Sequence, residues 1–155
     1  MQAWGTADHR YFVLIPDQVL AVFKAYRQFS IKAKEAGGVL LGKRRGDNIE
    51  LCLATAPTTH DQRARSFFTR LPRIHQEIVD RLWVETHGEI AYVGEWHTHP
   101  EKEPQPSSID EGNSMDLIQR HASGDTLLFI IVGTTSLHVQ LTSTKGNQVL
   151  QLLES

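Results

Sequence analysis

The first clear pattern along the chain is Tyr11-Phe12-Val13-Leu14-Ile15, a run of β-forming apolar residues that Pro16 stops. Pro16 and Asp17 then predict a helix entrance, where a missing N–H costs nothing, and Val19, Phe23 and Tyr26 are spaced for one buried face. Gly37-Gly38 breaks the chain before Val39-Leu40-Leu41-Gly42, which reads as a short buried strand. Arg45-Gly46-Asp47-Asn48 predicts a turn into Ile49-Glu50-Leu51-Cys52-Leu53, whose alternation suits a half-exposed strand.

Pro72 predicts a second helix start, with Ile74, Ile78 and Leu82 on one face. Gly88 precedes Ile90 to His97, read as a central strand. Thr98 to Pro106 holds three prolines and excludes regular structure. A third helix is predicted from about Ser108 to Ala122, ended by Gly124. Thr126 to Val132 and Leu137 to Leu141 read as a hairpin about Gly133-Thr134-Thr135, and Gln148 to Leu153 as a last strand. The order of elements predicts an α/β or α+β layered fold, a mixed β-sheet flanked by helices, in one domain over residues 1–155.

Composition adds exclusions. Hydrophobic content of 40% and charged content of 22% are those of a chain with one buried core. A net charge of −2 leaves no electrostatic footprint for nucleic acid or an anionic membrane. The one tight basic cluster, Lys43-Arg44-Arg45, reads as a solvated hairpin tip. A single cysteine, Cys52, excludes an internal disulfide and fits a reducing compartment, and its strand position favours a structural role. No stretch resembles a signal peptide or reaches membrane-spanning length, so the expected location is cytoplasmic.

Candidate chemistry concentrates at Gly94-Glu95-Trp96-His97-Thr98-His99-Pro100 and, past the proline-rich loop, Ser107-Ser108-Ile109-Asp110. Residues two apart on an extended strand point the same way, so His97 and His99 can offer both imidazoles to one ion. Asp110, at the start of the third predicted helix, can supply a carboxylate to the same point. Two imidazoles and one carboxylate leave a fourth tetrahedral position open for water, the pattern of a catalytic zinc site with one Zn2+ per chain. Such chemistry needs a base and an oxyanion donor, and Glu35, before the Gly37-Gly38 pair, and Ser107 are the candidates. Ser107 and Asp110 also have the spacing of a capping box, and could serve only to start a helix. The other six histidines (His9, His60, His75, His87, His121 and His138) read as scattered surface or packing residues.

At these residues the chain resembles the JAMM (JAB/MPN) metallopeptidases. Their pattern is a glutamate before a glycine-rich strand, then His-x-His-Pro, then Asp after ten intervening residues, with Ser three before it. Glu35, Gly37 to Gly42, His97-Thr98-His99-Pro100, Ser107 and Asp110 match it throughout. The resemblance implies a fold layered like that of cytidine deaminases, with His97, His99 and Asp110 as zinc ligands, Glu35 as base and Ser107 as stabiliser of the oxyanion. It also implies a protein substrate cut after a ubiquitin-like or flexible C-terminal tail. The short length and the wording of the motif are similar to bacterial single-domain members, some of which accompany cyclic-nucleotide antiphage operons and resemble deubiquitinases acting on a conjugated signalling enzyme. A tail bound as an added strand would run between walls at Pro100 to Pro106 and Arg63 to Arg70, with Phe67 and Phe68. The rival readings are a non-catalytic scaffold of the same fold, a zinc hydrolase of small amides, and a nucleotide deaminase. The last is disfavoured by the absence of a His-x-Glu with Pro-Cys-x-x-Cys run. Nothing in the pattern sets an oligomeric state.

Overall fold

Each apolar run becomes a strand because its neighbours in space, not in sequence, complete its hydrogen bonds. The computed structural model describes residues 1–30, 32–57, 62–63, 68–69, 72–120 and 126–155. In chain order its elements are β1 (Gln2–Gly5), β2 (Phe12–Ile15), α1 (Asp17–Ala25), β3 (Gly37–Arg45), β4 (Asn48–Ala54), β5 (Gln62–Arg63) and β6 (Phe68–Thr69). They continue with α2 (Pro72–Glu85), β7 (Ala91–Thr98), α3 (Ser108–Arg120), β8 (Leu127–Val132), β9 (Leu137–Ser143) and β10 (Gly146–Glu154). Eight strands form one mixed sheet in the order β1-β10-β9-β8-β7-β3-β4-β2, and β2 pairs with β1 to close it into a barrel. β5 and β6 make a separate two-stranded ribbon.

The mixed sheet with accompanying helices is the expected class, and closure is what the pattern did not announce. It depends on β1, a strand in the polar N-terminal stretch, which pairs antiparallel with both β10 and β2. The sheet is otherwise antiparallel except at β2–β4 and β7–β8. Val13, Ile15, Leu40, Val93, Leu128, Ile130 and Val139 point into the core, and α1 adds Val19 and Phe23. The Trp96 ring packs between α1 and the sheet, 5.2 Å from Phe23 and 6.2 Å from Tyr26, centroid to centroid. Its indole N–H donates to the Thr55 carbonyl at 2.9 Å, satisfying the one polar atom of an otherwise apolar side chain.

Two glycines let β7 lie where it does. A Cβ at Gly37 would stand 2.4 Å from the Trp96 carbonyl oxygen, and one at Gly94 would stand 1.7 Å from that of Leu128. Both approaches are backbone to backbone, so no side-chain rotation could relieve them. The strand that ends in His97 is thereby clamped between β3 and β8. The turn expected at Arg45 to Asn48 is present, with Gly46 at φ +64°. The α2 face predicted from Ile74, Ile78 and Leu82 is half-buried against the sheet.

Candidate metal centre

His97 is the penultimate residue of β7, and His99 follows the strand end, held by a hydrogen bond from its backbone N–H to the Val132 carbonyl at 3.0 Å. Trp96 and Thr98 turn inward, so the strand alternation sends both imidazoles to the opposite face. Asp110 stands in the first turn of α3. Ser107 and Asp110 form a reciprocal cap. The Asp110 N–H donates to Ser107 Oγ at 3.1 Å, and the Ser107 N–H donates to Asp110 Oδ2 at 2.9 Å. The capping reading of this pair therefore holds, and it also aims the carboxylate. An α3 start and a β7 end meet only because the intervening loop is fixed. Thr134 and Ser136 donate backbone N–H groups to the Glu101 and Lys102 carbonyls, and buried Pro104 packs against Gly133.

The result is a convergence of donors. His97 Nε2 and His99 Nε2 are 3.2 Å apart, His97 Nε2 lies 3.2 Å from Asp110 Oδ1, and His99 Nε2 lies 3.2 Å from Asp110 Oδ2. Two imidazole nitrogens aimed at one point repel through their lone pairs unless a proton or a cation lies between them. Ligand atoms roughly 2.0–2.2 Å from one tetrahedral ion stand about 3.3 Å apart, so these residues fit zinc as they stand. Among the described residues this is the His/Cys/Asp/Glu group able to hold an ion.

Burial and charge are matched in the cluster. Burial opposes ionisation of Asp110, yet hydrogen bonds from His97 and His99 outweigh it and hold the carboxyl well below its usual range. Burial likewise disfavours charge on His99, and the Asp110 carboxylate overrides it and raises the imidazole. His99 Nδ1 is buried and lies 3.1 Å from Glu101 Oε1, whose charge also raises the imidazole.

Glu35 is only 8% exposed and stands in the irregular segment before β3. Burial is the main influence on it and raises its pKa; His97 and His99 oppose this, and Asp110 adds to it. The glutamate is thus within electrostatic reach of all three candidate ligands while lying outside their cluster. Backbone and side-chain bonds from Thr98 hold its neighbour Ala36.

Some expectations fall elsewhere. His75, read as surface or packing, is buried in α2 and its Nδ1 lies 2.8 Å from Thr55 Oγ1. His138 is buried on β9 and bonded to Gln140 Oε1, while His9 and His87 are exposed; His60 and His121 lie outside the described residues. Cys52 is half-buried on β4, and burial raises its thiol. The groove wall expected at Arg63 to Arg70, with Phe67 and Phe68, lies outside the described side chains. Gln28, Thr98 and Thr55 escaped notice in the sequence. The available signal was Thr98 itself, sandwiched between the two histidines and obliged by strand alternation to face the other way.

A closed mixed sheet that carries a His-x-His strand end beside a helix-borne aspartate defines a JAB-type domain. The chain belongs to that family: the model "Prokaryotic homologs of the JAB domain" matches residues 21–144. Curated relatives are similar along most of the chain. A "CD-NTase/cGAS isopeptidase" of Pseudomonas aeruginosa is 35% identical over 94% of this chain and 92% of its own length. Proteins of the same name from Vibrio cholerae and Escherichia coli are 36% and 40% identical over 78% and 66% of this chain, and over 76% and 66% of their own lengths. The solution structure of protein DSY2949 from Desulfitobacterium hafniense shares the fold, at 22% identity and a TM-score of 0.58, covering 92% of this chain and 89% of that one.

Proposed function

We propose that the protein is a zinc-dependent isopeptidase that cuts the bond following an extended C-terminal tail, either ubiquitin-like or that of a conjugated signalling enzyme. The observation that carries this reading is the meeting of His97, His99 and Asp110 at 3.2 Å spacings beside a separately buried Glu35. The relatives named CD-NTase/cGAS isopeptidases favour a protein conjugate as substrate; the likeness to members of antiphage operons adds an antiviral setting, and the single cysteine suits a cytoplasmic one. Among the described residues no helix is long and apolar enough to cross a membrane.

His97 Nε2, His99 Nε2 and an Asp110 carboxylate oxygen would hold the ion. When bound, zinc lowers the pKa of a water to about 7 and polarises a carbonyl oxygen. Glu35 accepts the proton from the attacking water at a carboxylate oxygen and returns it to the leaving amine. Ser107 Oγ takes the Asp110 N–H on a lone pair, which leaves its own proton for the developing oxyanion. The loop from Pro100 to Pro106, fixed at Glu101 and Lys102, forms one wall of the tail groove.

Ser107→Ala separates the two duties of that hydroxyl. Loss of the cap is expected to cost about 1 kcal/mol of stability. Loss of the oxyanion donor is expected to lower turnover by about 10²–10³. Melting curves and turnover on the same variant read the two effects, and turnover within a few-fold of wild type would leave only the cap.

The substrate is tested with fusions that join a ubiquitin-like or signalling-enzyme tail to a reporter through its terminal carboxyl. Cleavage at the junction is expected, and it should be lost when the tail is replaced by a bulky sequence that cannot pass the metal. Turnover of small amides with every fusion intact would overturn the peptidase reading and leave a small-molecule hydrolase.

A further inference from the structure

Glu35 lies in a stretch without helix or strand, so something other than regular hydrogen bonding must fix it. The bonds around it converge on two buried polar side chains. Thr98 is fully buried, and its hydroxyl accepts the Ala36 N–H at 2.9 Å while its backbone N–H donates to the Ala36 carbonyl at 2.9 Å. Both polar groups of the residue after Glu35 are therefore held by the residue between the two histidines. The Thr98 hydroxyl donates to Gln28 Oε1 at 2.7 Å, and Gln28 Nε2 donates to the Ala33 carbonyl at 3.2 Å. Gln28, only 2% exposed, thus ties Thr98 to the chain two residues before Glu35, and Thr98 ties down the residue after it.

We propose that Gln28 and Thr98 are positioning residues, which set the Glu35 carboxylate at a fixed distance from the His97/His99/Asp110 cluster. This rests on the reading of Glu35 as the base. One strand then does two jobs: its outward face carries the histidines, and its inward hydroxyl sets the base against them. A buried hydroxyl and a buried amide are retained because each group in the chain Ala33–Gln28–Thr98–Ala36 is satisfied by the next. A valine at 98 would fill the same space and remove both hydroxyl bonds, the one from the Ala36 N–H and the one to Gln28 Oε1, whereas a serine would keep them.

The test uses Thr98→Val, Thr98→Ser and Gln28→Leu in the full chain, alone and combined with Glu35→Gln. Readouts are amide exchange at Ala36 in metal-free protein, zinc content, and kcat and KM on a tail fusion. T98V and Q28L are expected to speed exchange at Ala36. They should keep one zinc per chain and KM within about threefold, and lose about 10–100-fold in kcat, the scale of a misplacement near 1 Å. T98S should behave as wild type. In the Glu35→Gln background neither change should lower kcat further, because the group they position is gone. If T98V disturbs zinc, Q28L decides, since Gln28 carries no ligand and neighbours none in sequence. Wild-type kcat in Q28L with Ala36 exchange accelerated, or zinc loss in Q28L, would overturn the proposal. The two readings fail separately. A fully active Glu35→Gln removes the base assignment, whereas an inert Glu35→Gln beside a fully active Q28L removes only the tether.

Discussion

Glu35→Gln is expected to lower turnover on a tail fusion by about 10²–10⁴, the usual worth of a positioned general base, while the protein still binds about one zinc per chain. The amide keeps the size and hydrogen-bonding reach of the carboxylate and loses the ability to accept a proton from water. Zinc content measured on the same preparation separates a base from a ligand. If Glu35→Gln emptied the site as thoroughly as loss of Asp110, the glutamate would be holding the ion, and its assigned role would be wrong. A second effect follows from burial, which raises the Glu35 pKa above its usual value. A carboxyl whose folded pKa exceeds its unfolded one contributes its full stability below the unfolded pKa and loses it as pH rises through the folded value. Glutamine never ionises. The metal-free variant is therefore expected to melt above the metal-free wild type near neutral pH, with the gap closing in acid. A more stable, inactive variant is what a functional residue held in an unfavourable place should yield.

Asp110→Ala is expected to abolish zinc binding at stoichiometric metal and, with it, activity. The carboxylate contributes one oxygen toward each histidine, at 3.2 Å in both cases, so its removal takes away a donor and the anion that balances the ion's charge. Loss of a partner that merely supports a ligand already costs about 10–100-fold in metal affinity, and loss of the ligand itself should exceed that. Calorimetric titration and elemental analysis measure it directly. Thermal melts supply an independent check, because an ion that binds only the folded chain stabilises it by about 2.7 kcal/mol at a concentration one hundred times its Kd. Chelator should lower the wild-type melting temperature and leave Asp110→Ala where it is. A variant that keeps one zinc per chain and full activity would remove Asp110 from the ligand set. Since Asp110 also completes the cap with Ser107, Ser107→Ala serves as the control: it removes the hydroxyl half of the cap and leaves the three donors in place.

Much of the fold and the candidate site could be read without coordinates, for reasons local to the chain. Proline and aspartate at positions 16 and 17 start α1 where expected, because a helix entrance is decided by residues a few positions apart. Ile49 to Leu53 lies within the observed β4, since strand alternation is visible within a few residues, and Gln148 to Leu153 lies within β10. His97 and His99 share a face by the two-residue period of a strand, and Ser107 with Asp110 declares its own turn of helix. Spacing therefore nominated the two histidines and the Ser107–Asp110 pair, while Glu35 was picked out by its place before the glycine pair and by the family resemblance.

Their convergence had to wait for tertiary structure. Gln2 to Gly5 carries too few apolar residues to predict a strand, and becomes one only because β2 and β10 flank it and the barrel closes there. Asp110 reaches the histidines because the loop between them is pinned to the β8–β9 turn, a contact between segments more than thirty residues apart. Glu35 is 62 residues from His97, and what holds it in register is the bond from the Ala36 N–H to the hydroxyl of Thr98. Gln28 and His75 are polar residues that the local pattern does not assign to the core, and both are almost wholly buried in the fold. A polar side chain can be buried only when partners from distant segments satisfy it, and those partners exist only once the chain has folded. The residue types and their local geometry were properties of the sequence; the distances that could make them one site were decided by long-range packing.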